Sequence, residues 1–492
     1  MERPIHPGVT SARATLLPAS VSGLLGVQFR KSSLAMNLDK FSRPAIRALI
    51  WFAIILATAS LASASWKEKV LYSFQGVPDG SLPVGGIVFD SAGNLYGATT
   101  EGGSSSCISV AQCGTVYQLA PPAKQGGPWT ETVLYVFKGN ASQDGASPAG
   151  GLVMDSAGNL YGTTAYGGTG NCVLLGTLMG CGTVYEMSPP NQKGGKWTET
   201  MLYSFPTAKQ GYLPNGDLVF DSAGNLYGAT QYGGGHGTTC NGFYQYCGAV
   251  FELSPPKTKG GKWTEKVLHG FRSGTDGAAP NGGLVLDGKG NVYGTSFGGG
   301  NESGPCGKVG CGTVFELKPP TLKGGAWSEK VLHRFNAQDG GTPAAGVIFD
   351  PKGNLFGTGF GGGPQGNGVV FELEKPSGSG LPWKIAVLHS FSDGNDGANP
   401  AAGLTFDDSG YLYGTALGGG THRGVVFRLK PPKSGNSWSL TVLYNLEGSP
   451  DGDHPTAGLI FDSNGDLFTT TDWGGTGQSC QAGCGTVFEA SP

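Results

Sequence analysis

Downstream of residue 65 the chain has no amphipathic helical pattern of any length, which excludes helical bundles and α/β layers. It has one long apolar run, ALIWFAIILATASL at residues 48–61, and none later. No Gly-x-Ser-x-Gly, Walker or His-Glu-x-x-His pattern occurs, so no familiar nucleophile, phosphate cradle or zinc-protease helix is written into the chain. Basic clusters are missing too. Lys and Arg number 32 against 35 Asp and Glu, for a net charge of −3. Residues 1–64 hold seven basic and two acidic side chains, so without them the net charge is −8. A chain of that balance is a poor partner for a phosphate backbone, and no nucleic acid is expected.

What is present is repetition. With 89 Gly and 31 Pro the composition would suggest disorder, but these residues recur at fixed places as punctuation between short apolar runs. The unit at residues 150–182 reads GGLVMDSAGNLYGTTAYGG, a loop bounded by Cys172 and Cys181, and Gly182; TVYEMSPPNQKGGKWTETMLYSF follows, and the whole recurs seven times. Two runs flank a DSAGN hairpin, in which Asp bonds its own turn and Gly supplies positive φ. A third run covers residues 182–187 and a fourth, alternating, residues 197–205.

Four strands in each of seven units of about 60 residues point to a seven-bladed β-propeller, one domain over residues 65–492. The chain opens with a lone fourth strand, residues 66–74, and ends with three, at residues 458–462, 467–471 and 485–489. The last blade is therefore expected to be completed by the first strand, leaving no open seam. Blades are expected to begin near Gly85, Gly150, Gly216, Gly282, Gly346, Gly403 and Gly458. Trp66, Trp129, Trp197, Trp263, Trp327, Trp383 and Trp438 share one repeat position and read as packing between sheets.

Residues 36–64, with Lys40, Arg43 and Arg47 before the apolar run and Ala62-Ser63-Ala64 after it, read as a secretory signal cleaved near Ala64. Residues 1–35 carry no repeat and read as a leader or a start-site artefact. All ten Cys lie beyond them, in the loops between second and third strands: Cys107 with Cys113, Cys172 with Cys181, Cys240 with Cys247, Cys306 with Cys311, and Cys480 with Cys484. Units five and six lack both members, which fits five local disulfides in an exported protein. No His recurs beside the pairs, so neither zinc nor another cofactor is expected.

Any site is expected on the face carrying the disulfide loops and the Asp-Gly connections, at the mouth of the channel. Asp79, Asp144, Asp276, Asp339, Asp396 and Asp451 recur too regularly for chemistry and read as turn residues, as do the hairpin Asp residues from Asp90 to Asp462. His269, His333 and His389 stand where other units have Tyr, and His236, His422 and His454 read as scattered solvated loop residues. More informative are the positions that break the repeat. Asp217 replaces a Gly kept in the six other units; Glu101, Tyr166, Tyr232 and Trp473 precede Gly-Gly, with Asp472 beside Trp473. Phe297, Phe360 and Leu417 lie near them in register. Aromatic faces with a few carboxylates suit a sugar-binding surface, or else simply pin down Gly-rich loops. Asp217, Glu101 and Asp472 are the candidate acid–base carboxylates.

The core GGLVLDGKGNVYGTSFGGG, followed by CGTVFELKPP and WSEKVLHRF, resembles the tandem GloVer-repeat family of bacterial exported proteins over residues 66–492. The resemblance implies a secreted or surface-attached repeat protein, with no settled activity. The family often bears a C-terminal sorting anchor; this chain ends at FEASP, and release to the periplasm or medium is expected. The leading functional expectation is a monomeric, non-catalytic binding propeller for carbohydrate or a surface protein, clear of the membrane once its signal is removed. A polysaccharide hydrolase or lyase with carboxylates at the channel mouth, and a structural envelope protein, are the alternatives.

Overall fold

The DSAGN hairpins set the local order. In the first, Asp90 Oδ1 accepts the amides of Ala92 and Asn94 at 2.9 Å, while Oδ2 accepts Asn94 Nδ2 and the Tyr96 hydroxyl. The arrangement recurs with small variations at Asp155, Asp221, Asp287, Asp350, Asp407 and Asp462, so these carboxylates serve the turn. In the computed structural model the described residues are 66–492 apart from 105–112, 125, 175, 193, 235–246, 259, 302–305, 323, 379, 434 and 436. The leader, the signal segment, Cys107, Cys240 and His236 lie outside them.

Each unit forms an antiparallel sheet. Blade one pairs Gly80–Phe89, Leu95–Gly102, Thr115–Ala120 and Thr130–Val136 in chain order, and blades two to six repeat that order. Blade seven runs Ile460–Phe461, Leu467–Thr471, Thr486–Ser491 and then Lys67–Ser73. The expected clasp is therefore present, and the molecule is a seven-bladed β-propeller.

Seven apolar clusters fill the seven blade interfaces. On one side, an outer-strand Phe packs edge-on against a third-strand ring of the next blade: Phe74 on Tyr117, Phe137 on Tyr185, Phe205 on Phe251, with centroids 5.0–5.2 Å apart. On the other, an outer-strand Trp lies against a second-strand aromatic of the preceding blade, as Trp197 on Tyr96 and Trp438 on Phe356. Trp263 and Trp383 pack in the same way, in the clusters holding Tyr161 and Tyr293. The Trp series is scaffold.

The inner strands differ from expectation. In blades one and three they begin at Gly80 and Tyr212, well before Gly85 and Gly216, and the register slips between Val84 and Val88 and between Asn215 and Val219. Gly85-Gly86 and Gly216-Asp217 thus lie in bulges carried out of the sheet toward the axis. Backbone meets backbone there: a Cβ on Gly85, at φ +64°, would lie 2.0 Å from the amide nitrogen of Gly151 in the next blade.

A second contact between blades recurs just before that bulge. The residue preceding Pro is left-handed in all seven units, Leu82, Ser147, Leu213, Ala279, Thr342, Asn399 and His454, with φ of +44° to +57°. In six junctions its amide donates to the preceding blade: Leu82 to Cys484, Ser147 to Cys113, Ala279 to Cys247, Thr342 to Cys311, Asn399 to Asn367 and His454 to Arg423, at 2.7–3.0 Å. The following Pro ring then covers the Gly after that acceptor. The Asp of each Asp-Gly connection caps the turn and also holds the preceding outer strand, as Asp144 does through Tyr135 and Asp276 through His269. Where Gln210 replaces that Asp, the Tyr203 hydroxyl donates instead to Glu265 at 3.3 Å.

Two outcomes follow for stability. Gly465 and Gly485 both have positive φ, +86° and +92°, but a Cβ on Gly465 meets nothing within 4 Å whereas one on Gly485 meets Pro83 Cδ at 2.4 Å. Gly465→Ala is expected to lose about 1–2 kcal/mol to backbone strain, and Gly485→Ala a further ~1–3 kcal/mol from overpacking at the ring closure. Equal denaturant midpoints for the two variants would contradict this. The second outcome concerns outer-strand carboxylates held between blades. Burial, reinforced by a neighbouring Asp, pushes Glu131 and Glu199 up to about 7 and Glu68, facing Asp451, up to about 8. The folded form then binds more protons than the unfolded one from about pH 4.5 to about pH 8, so stability falls as pH rises through that window. Melting temperatures should be highest near pH 5, and Glu68→Gln combined with Glu131→Gln should flatten the decline; a melting temperature that rises toward alkaline pH would reverse the sign.

Candidate functional site

The seven segments equivalent to Gly85-Gly86, which read Gly-Gly in three blades, Gly-Asp in blade three and Ala-Gly in blades five to seven, line a central channel of about 550 Å³, walled mainly by glycine, alanine and aliphatic side chains. Polar groups are few. Asn215 donates through Nδ2 to Asn281 Oδ1 at 2.5 Å, Thr456 stands in blade seven, and Asp217 is the one charged side chain among the described lining residues. Its position inside the bulge explains why Gly gives way there without disturbing the sheet. Asp217 Oδ1 accepts the Gly151 amide at 2.6 Å across the blade boundary. The carboxylate is enclosed by surrounding blades yet open to the channel, and that enclosure raises its pKa against the opposing pull of the Gly151 amide.

The three carboxylates singled out by the sequence do not form one constellation. Asp217 belongs to blade three, Glu101 to blade one and Asp472 to blade seven, and no hydrogen bond or ion pair joins any two of them. Glu101 pairs in register with Ser81. Asp472 is largely buried, with Oδ1 accepting the Thr456 hydroxyl at 2.5 Å; burial pushes it up to about 6, against that hydrogen bond and the proximity of His454.

Nor is there an aromatic ring around the channel among the described residues. The position before Gly-Gly pairs with the first part of the inner strand, Ala146 with Tyr166, Tyr212 with Tyr232 and Asp453 with Trp473, and so stands away from the bulge that reaches the axis. Tyr166 packs on the core between blades one and two, and Tyr232 lies 5.2 Å from Tyr212. Phe297 and Phe360 are half-buried. Trp473 alone of the five is exposed, at 38%.

Around Trp473 the structure assembles a group the residue-by-residue reading missed. Asp453, 1% exposed, bonds Arg423 Nη1 through Oδ2 and His454 Nδ1 through Oδ1, each at 2.5 Å. The His454 ring packs on the Trp473 ring at 4.4 Å, and Asp472 donates its amide to the His454 carbonyl. His454 is therefore a fixed side chain and not a solvated one. The signal was available in the repeat: units two, four and six read Asp-Gly-Ala-x-Pro, whereas unit seven reads Asp-Gly-Asp-His-Pro at 451–455. Arg423 likewise stands where five other units have the second Cys.

Beside this group a cleft of about 610 Å³ opens between blades six and seven, lined by Arg423, Glu447, Ser449, Asp453, Gln478 and Gln481 among others. It lies on the disulfide face, next to the Cys480–Cys484 bridge. Cys172–Cys181 and Cys306–Cys311 are also joined, and Cys113 and Cys247 are bonded within pairs whose other members fall outside the described residues. Among the described residues, no three His, Cys, Asp or Glu gather to hold a metal ion, and no helix is long and apolar enough to cross a membrane.

No curated protein matches the chain. Among solved structures, it is similar to a luciferin-regenerating enzyme, with 12% identity, 87% of this chain and 95% of that one covered, and a TM-score of 0.41. It is also similar to a protein from Thermus thermophilus described as an oxidoreductase (glucose dehydrogenase), with 16% identity, 69% and 95% covered, and a TM-score of 0.39. Neither likeness bears on chemistry. The Gloeobacter/Verrucomicrobia repeat model matches residues 58–300, 176–381 and 305–492 in overlapping succession. Matched from residue 58 to residue 492, the chain belongs to the Gloeobacter/Verrucomicrobia repeat family.

Proposed function

We propose that the protein is an exported carbohydrate-binding propeller whose ligand seats on the disulfide face, over the junction of blades six and seven. The observation that carries this reading is the convergence of five repeat-breaking side chains, Arg423, Asp453, His454, Asp472 and Trp473, beside an open polar cleft. A scaffold kept alike in seven copies does not ask for them. The guanidinium, carboxylates and carboxamides of the cleft exchange hydrogen bonds with hydroxyl groups, and the exposed Trp473 ring offers a sugar an apolar face. The disulfides support an exported location.

A purely structural role accounts for part of the group. Blade six lacks a disulfide, and the Arg423–Asp453 ion pair braces its loop in place of the missing bridge. That role gives no reason for an exposed Trp or for the polar cleft. Of the other aromatic candidates, Tyr166 and Tyr232 are packed as braces for Gly-rich loops, and Phe297 and Phe360 are half-buried.

The test is a glycan array probed with the disulfide-intact mature protein, followed by titration of the best ligand. Trp473→Ala is expected to weaken binding roughly tenfold or more, about 1.4 kcal/mol, with the melting temperature little changed. Retention of no glycan, or an affinity unaltered in both Trp473→Ala and Arg423→Ala, would overturn the reading.

A further inference from the structure

We infer that the cluster between blades six and seven is a catalytic centre for β-elimination on uronate-containing polysaccharide: His454 removes the C5 proton, Arg423 binds the uronate carboxylate and Asp472 protonates the departing oxygen. The inference rests on the carbohydrate reading above and replaces its non-catalytic half.

The base is prepared by its surroundings. Nδ1–H of His454 donates to Asp453, so the lone pair sits on Nε2, which has no partner among the described residues; the side chain is 32% exposed. A buried carboxylate behind an imidazole fixes its tautomer and stabilises the imidazolium that forms when a proton is taken. The backbone adds rigidity. His454 occupies the left-handed position of the blade junction, φ +57°, with its amide tied to Arg423 and a Pro following, so the ring is aimed by the scaffold itself.

The same Asp453 orients the cation. Its second oxygen takes one nitrogen of Arg423, whose side chain is otherwise 51% exposed and turned to the cleft. One carboxylate thus holds a proton acceptor and a carboxylate-binding guanidinium side by side. Elimination next to a uronate needs that pairing, because the C5 hydrogen becomes acidic enough only when the charge developing on the adjacent carboxylate is neutralised. The step balances without a co-reactant. The C5–H electrons form a C4=C5 double bond, the C4–O bond breaks, the C5 proton passes to His454 Nε2, and the departing oxygen takes a proton from the Asp472 carboxyl. Asp472 is tied to the base through its amide, which donates to the His454 carbonyl at 3.1 Å, and burial pushes its carboxyl up to about 6, so a share of it is protonated in mildly acidic medium.

Hydrolysis fits the cluster less well. It requires two working carboxylates roughly 5–10 Å apart across the scissile bond. Asp453 is saturated by Arg423 and His454 and almost wholly covered; hydrolysis by the two carboxylates that remain, Asp472 and the cleft-lining Glu447, would leave the oriented His454 and Arg423 without a part. Asp217 stands in the channel on blade three.

The test incubates the disulfide-intact mature protein with polygalacturonate, alginate and glucuronate-containing glycosaminoglycan, and with a carboxyl-reduced form of each. Product is followed by the ultraviolet absorbance of the unsaturated uronate and, separately, by reducing ends; binding of the same polymers is measured in parallel. At least one uronate polymer is expected to give unsaturated ends, and its carboxyl-reduced form none. His454→Asn introduces the residue that blade six carries at the same left-handed position, Asn399, so the fold is expected to be retained. It should lower kcat about 10²–10⁴-fold with KM nearly unchanged, while Arg423→Gln should raise KM as well as lower kcat, and Asp472→Asn should lower kcat. Binding with no unsaturated product, saturated ends alone, or full turnover by His454→Asn overturns elimination and leaves the carbohydrate reading standing. Retention of none of the polymers, with none of the array glycans bound, removes both.

Discussion

The contact on which the ring depends is the one between a left-handed residue and the blade before it. A non-glycine residue at φ near +50° is strained by about 1–2 kcal/mol, yet all seven units adopt it. The return is local and repeated: an amide reaches a carbonyl on the preceding blade, and the next residue, Pro, lies over a Gly that has no Cβ to obstruct it. With Pro at the following position, α-helical geometry is disfavoured for the residue before it, which narrows the alternatives to this turn. The closing junction uses the same parts, Leu82 bonded to Cys484 and Pro83 over Gly485, so the seam between blades seven and one is built like its neighbours.

Beyond that contact, the packing divides the labour by radius. At the axis the inner-strand glycines of blades one to five touch backbone to backbone, leaving a narrow channel with little side-chain chemistry. Midway, Phe and Tyr rings lock consecutive sheets. Farther out, Trp and half-buried Glu residues complete the interfaces, and the Glu residues tie the cohesion of the ring to pH. The loops of one face, braced by disulfides, carry the proposed site.

Most of this architecture was legible because it is periodic. Strand alternation, hairpin Asp and the Trp series each had seven chances to be noticed, and the clasp followed from counting strands at both ends, where the first strand stands alone. The Gly-Gly bulge was not legible, since a pair of glycines inside an apolar run reads equally as a strand start; only the backbone of the next blade, 2.0 Å from where a Cβ would be, shows why they are required. The aromatic positions were legible as variable but not in their direction. Strand pairing decided that, turning Tyr166 and Tyr232 onto the core and leaving Trp473 at the surface. His454 was missed for a different reason. Judged as one of three loop histidines it looked solvated, whereas set against Leu82, Ser147, Leu213, Ala279, Thr342 and Asn399 it is the one imidazole at a position whose conformation is dictated.

That comparison also explains why this junction can carry polar chemistry at small expense to the fold. The strain at position 454 is common to all seven copies, so a His there adds none of its own. Burying Asp453 would be destabilising in isolation, by roughly 1–3 kcal/mol or more for an unsatisfied group. Here both oxygens are bonded, one to an arginine at the place of a cysteine that blade six does without. The exchange of a disulfide for an ion pair turns a covalent brace into a charged and solvent-accessible one at a single junction. The six other blade interfaces keep the ring shut. Symmetry thus supplies the stability, and the departure from it at this junction carries the imidazole, guanidinium and carboxyl of the proposed centre.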